Sequence, residues 1–152
     1  MKFLHLLTGI VLLGAIAGGQ QRVDPAFYGI WTLNVAKSDF GRSPKPTAGA
    51  VNWGSHGWVL SIVAADGGVY ADAVATDGGC ALVGAFSSDF SCKFEVVAPR
   101  HLRFTLLQGS MVRRVGDIEL LSDDITQTTH QITPSSNGPS YVEKTIWERQ
   151  RK

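Results

Sequence analysis

Arg113 and Arg114 are adjacent residues within an alternating run, Met111 to Leu120. Neighbours on a β-strand point to opposite faces, so one of the two is expected to turn inward if the run is a strand of a closed sheet. A buried guanidinium needs a partner, because an unpaired charge away from water is costly. Two partners are open to it. One is an internal carboxylate such as Glu143; the other is the acid group of a bound molecule, which Arg grips with two parallel hydrogen bonds. The run from Ile125 to Thr133 is polar on both faces, Thr126, Thr128 and His130 sharing one of them with Ile132. Polar groups facing inward imply a wet cavity; the same pattern also suits an exposed edge strand. Tyr141, Glu143, Thr145 and Trp147 fall on one face of the last strand. The residues expected to meet a ligand are therefore Arg113, Arg114, Thr128, His130, Glu143 and Trp147.

Other chemistries find no footing. His56, His101 and His130 show no His-x-His or His-x-x-x-His spacing and adjoin no cysteine, so no metal site is expected. There is no Gly-x-Ser-x-Gly, P-loop or dinucleotide fingerprint, and the Asp-Gly-Gly pairs read as hairpin turns. Asp123-Asp124 and Glu143/Glu148 are close in sequence, but acid–base work needs a shared pocket. No catalytic residue and no cofactor are expected, and the chain does not read as an enzyme. Fourteen Lys and Arg against 13 Asp and Glu leave a net charge of +1. Nucleic acid is a poor partner for so neutral a surface.

Short strands must position these residues. Apolar residues alternate in runs of five to eight, broken by Gly, Asp, Asn, Ser and Pro, and no amphipathic helix follows the N-terminus. Strands are expected at Ile30–Val35, Ala50–Trp53, Trp58–Ala64, Val69–Ala75, Cys80–Ala85, Phe90–Val97, His101–Leu107, Met111–Leu120, Ile125–Thr133 and Tyr141–Arg149. A single helical turn is expected at Ala36–Phe40. The pattern counts eight to ten short strands with no room for βαβ crossovers, so an antiparallel meander follows. Such a sheet must close or hide its edges. The expected fold is all-β, an up-and-down barrel of about eight strands, with a two-sheet sandwich as the alternative.

The N-terminus reads as a signal peptide, residues 1–17, with Lys2, an apolar stretch and the small-x-small site Ala15-Ile16-Ala17. The domain proper would be 18–152, periplasmic or secreted, with no stable membrane span after cleavage. In that compartment the two cysteines, Cys80 and Cys92, are expected to form a disulfide.

The run from Gly29-Ile30-Trp31 through Pro44-Lys45-Pro46 resembles the opening of small exported bacterial lipocalin-like proteins, most of them without an assigned activity. Arg100 to Phe104, Gly109 to Val112, Ser122 to Thr126 and the tail from Asn137 extend the likeness. The resemblance implies structural roles for Gly29, which allows close backbone approach, and for Trp31, which would pack at the closed end of the barrel. Arg149 is the first candidate for the cation stacked over Trp31, with Arg151 second. The resemblance further implies a binding scaffold, and the residues above add the expected occupant, a small, largely apolar molecule, acidic where an inward arginine is its partner. The alternative is a filled barrel acting through surface or envelope protein contacts, with an enzyme on the same scaffold third.

Overall fold

Alternation decides which way each side chain faces. In the computed structural model, which describes residues 22–76, 80–83, 89–136 and 138–151, ten strands form one antiparallel sheet. They are β1 (Gly29–Leu33), β2 (Ala48–Gly54), β3 (Gly57–Val63), β4 (Val69–Ala75), β5 (Ala81–Val83), β6 (Phe90–Ala98), β7 (His101–Gln108), β8 (Met111–Ser122), β9 (Ile125–Ile132) and β10 (Tyr141–Arg149). Trp31 and Leu33 are buried between outward-facing Ile30 and Thr32, and Glu143, Thr145 and Trp147 are buried between outward-facing neighbours on β10.

The strand order is β5-β4-β3-β2-β1-β10-β9-β8-β7-β6. Chain neighbours pair throughout, and β1 returns to β10 with Trp31 opposite Arg149 and Leu33 opposite Trp147. The sheet is thus a nearly closed, barrel-like cylinder. The expected count of about eight strands is corrected to ten. Each Gly- or Asp-containing reversal bounds a separate strand, and the short β5 adds one more beside the cylinder's edge.

That edge lies between β5 and β6, the two ends of the sheet order. They touch, but no ladder joins them among the described residues. The Cys80–Cys92 disulfide spans this seam, linking the residue before β5 to the third residue of β6. The expected turns at Asp77-Gly78-Gly79 and Ser87-Ser88 and the signal peptide lie outside the described residues, as does the 18–21 start of the expected domain. Among the described residues, no helix is long and apolar enough to cross a membrane. The expected helical turn after β1 is instead a hydrogen-bonded turn, Lys37 N–H donating to the Asn34 carbonyl at 3.2 Å. It leads to a backbone bridge between Asp39 and Lys144.

One end of the cylinder is plugged. A 3-10 turn at Pro25–Phe27 starts where the Asp24 carboxylate accepts the Ala26 N–H at 2.8 Å. Its Phe27, with Val23 and Trp31, is almost wholly shielded from solvent. The Trp31 indole N–H donates to the Phe27 carbonyl at 2.7 Å, so its one polar atom is satisfied inside the plug. The Arg149 guanidinium stacks over the Trp31 ring, 4.2 Å from its centroid. It also donates to the carbonyls of Ala26, Tyr28 and Asp123, tying the plug to the last strand. Gly29 has φ +121° and sits 3.3 Å, by its would-be Cβ, from the same guanidinium, so a side chain there would crowd Arg149. From Phe27 a run of aromatic contacts passes through Trp53 and Trp58 to Phe94 and Phe104.

Candidate functional site

Beyond the aromatic plug the cylinder is not filled. A cavity of about 310 Å³ remains, its wall mostly Trp, Phe, Leu, Val and Ile. Trp53, Trp58, Phe104 and Trp147 supply aromatic surface, and the polar groups on the wall are Asp72, Arg114, Thr126, Thr128 and His130.

Arg114 is the arginine that faces inward. On β8 it shares a face with Gly116, Ile118 and Leu120, the last two buried. A β-bulge sets this phase. The β7–β8 register runs from Leu106 opposite Arg114 to Leu107 opposite Val112, so Arg113 is passed over. Arg113 is accordingly displaced from the expected ligand set. Its guanidinium donates to the Gln108 side-chain oxygen at 3.0 Å and the Pro134 carbonyl at 3.2 Å, away from the cavity wall.

Three strands meet at one register row, where Gly116 on β8 lies opposite His130 on β9 and His130 opposite Glu143 on β10. His130 Nδ1 and Glu143 Oε1 are 2.9 Å apart. On the other side the ring packs against Gly116, where a Cβ would stand 2.6 Å from the imidazole Cδ2. β9 is an interior strand, paired on both sides, so its polar inward face is a cavity wall and not an exposed edge. Glu143 is not itself on that wall; it stands behind His130 and holds it. Trp147 does line the cavity, its indole N–H donating to Thr145 Oγ1 at 3.0 Å.

The protonation states follow from burial and charge. Burial pushes His130 below the ordinary imidazole value of 6.5; the hydrogen bond to Glu143 opposes this and the Arg114 charge adds to it. For Glu143, burial alone would raise the carboxyl. Hydrogen bonds from His130 and Ser43, with the His130 and Arg114 charges, outweigh it and hold the group below its ordinary 4.5. At neutral pH the pair is therefore a carboxylate and a neutral imidazole. A carboxylate only accepts, so Nδ1 carries the proton and Nε2 is left as an acceptor. Among the described residues no buried side-chain nitrogen or oxygen lacks a partner, so Nε2, which has none there, is open to the cavity.

Arg114 forms no side-chain hydrogen bond or ion pair among the described residues, and its charge acts on both His130 and Glu143. Asp72 is the wall residue that reading by motif did not single out. Its signal was present: Tyr70, Asp72 and Val74 alternate against Val69, Ala71, Ala73 and Ala75, and Val74 is core. Asp72 pairs with Leu60, and Val74 with Trp58, which places all four on one wall. A second carboxylate cluster is on the outer face, where Asp117 accepts from His101 at 2.8 Å and Arg103 at 3.0 Å. Burial would raise Asp117, and the hydrogen bonds from His101 and Arg103, with the Arg103 charge, bring it below the usual range. Among the described residues no three metal-ligating side chains converge.

Fold and site together define a ten-stranded antiparallel β-cylinder with an internal, mostly apolar cavity. Compared with protein-family models, curated proteins and solved structures, the chain matches none.

Proposed function

We propose that this chain is an exported, lipocalin-like binding protein that holds a small, largely apolar molecule with an acidic head inside its cylinder. The observation that carries this reading is the Arg114 guanidinium, without a hydrogen-bond or ion-pair partner among the described residues, on the wall of a mostly apolar cavity. A volume of about 310 Å³ falls within the range of small-molecule sites, roughly 300–1,000 Å³. A filled interior would instead have favoured surface or envelope contacts. The disulfide supports an oxidising compartment, periplasmic or extracellular. Thr128, His130 and Trp147 line the same cavity as Arg114, and Glu143 keeps His130 in place.

The test is binding of an environment-sensitive fatty-acid probe. Saturable binding is expected, weakened by about 1.5–3 kcal/mol in Arg114→Met, the range for hydrogen bonds to a charged group. Arg113→Met, altering an outward side chain, should leave it unchanged. Equal effects of both would sink the anion site.

One observation favours a second reading. A histidine on the cavity wall, oriented by a carboxylate at 2.9 Å, has the form of a general base with its positioning partner. Mass spectrometry of the probe after incubation separates the two readings, since a binding protein returns it unaltered.

A further inference from the structure

We infer that the cavity selects amphoteric molecules, with an acid group at one end, an ammonium group at the other and an apolar body between. This rests on the binding reading above and adds the second polar end. Arg114 is on β8 and Asp72 on β4, and both line the same cavity. In the sheet order β4 and β8 are separated by five strands one way round and, across the disulfide seam, by three the other. They therefore stand on opposing walls of the cylinder. Neither forms a side-chain hydrogen bond or an ion pair among the described residues, so the two charges do not satisfy each other.

Two opposite, uncompensated charges facing across apolar space are costly when that space is dry. An acid-headed apolar molecule would answer Arg114 and desolvate Asp72 with nothing in return. A molecule carrying both charges answers both. The wall around Asp72 also suits a cation in a second way. Trp58 is two residues from Leu60, the cross-strand partner of Asp72, and its ring lines the same cavity. Carboxylates and aromatic rings both attract an ammonium group. On the opposite wall Arg114 takes the carboxylate.

Calorimetric titration of the intact protein with matched pairs tests this: hexanoate against 6-aminohexanoate, octanoate against 8-aminooctanoate, dodecanoate against 12-aminododecanoate. Within at least one pair the amino acid is expected to bind about tenfold more tightly, which is what one charge-assisted hydrogen bond supplies. Asp72→Asn should abolish that preference and leave the plain fatty acid bound equally well or better. Arg114→Met should weaken both members of the pair. If the fatty acids bind and no amino counterpart exceeds its partner, the amphoteric inference is overturned while the binding reading stands. If no member of any pair binds, both fall. The comparison within each pair needs only the unaltered protein, so a variant that fails to fold does not remove the test.

Discussion

At the scale of single residues, His130 ties β9 to both of its neighbours. It is fixed between Glu143 and the bare backbone of Gly116, and its neutral form depends on being buried. This gives stability a defined pH dependence. In the unfolded chain His130 takes up its proton near 6.5, whereas the folded chain holds it off to lower pH. The unfolded state thus binds more protons below about that pH, and stability falls as pH drops through this window. Glu143 has the same sign lower down, because its folded value is depressed below 4.5. Its contribution is present above 4.5 and is lost as pH falls through the folded value. Urea titrations at about pH 7.5 and about pH 5 should show a lower midpoint at the acidic end. The same comparison in His130→Gln should be flatter. An unchanged dependence in that variant would assign the effect to other groups.

At the scale of elements, the hairpins show where backbone geometry is decisive. Gly57 opens β3 with φ +139°, and a Cβ there would stand 1.8 Å from the Val74 carbonyl oxygen. Gly67, in the next hairpin, also has positive φ, at +84°, but open space around it. Gly67→Ala should therefore cost only the left-handed penalty, about 1–2 kcal/mol. Gly57→Ala should cost clearly more, because β3 and β4 must also part. Denaturant midpoints of the two variants compare them directly, and equal losses would mean that the β3–β4 contact yields freely. Strands like these were legible because alternation and Gly-Asp punctuation are local signals. Val69–Ala75 and Tyr141–Arg149 begin and end where the pattern does. The inward phase of Arg114 was not legible, since it is set by a bulge that depends on how β7 pairs with β8. Nor was the His130–Glu143 pairing, which needs the β9–β10 register. Asp72 was passed over for a different reason: it belongs to no motif, and its place on the wall follows only from closing the sheet.

At the scale of the whole molecule, the seam governs integrity. Every other strand boundary among the described residues is a hydrogen-bonded ladder, whereas β5 and β6 are held by Cys80–Cys92. Replacing both cysteines by serine should cost about 3 kcal/mol on chain-entropy grounds, for a loop of this length. The loss should appear as a lower denaturant midpoint. Fatty-acid probe binding should weaken as well, because Leu82 and Phe90, on either side of the seam, both line the cavity. A double variant with full stability and full binding would show that side-chain contacts alone keep the cylinder shut.

The sheet order has a kinetic consequence. The ends of the described chain pair with each other in the middle of the sheet, while the edges of the sheet are consecutive in sequence. Each half, β1 to β5 and β6 to β10, can zip by hairpins alone. Only β1 on β10 requires remote segments to meet, and that loop closure is an entropic toll on the rate. A circularly permuted chain, with residue 151 linked to residue 22 and new ends between β5 and β6, would make every described ladder a local one. It should refold faster than the natural order in stopped-flow measurements, its one remaining long-range task being to bring two sulfur atoms together.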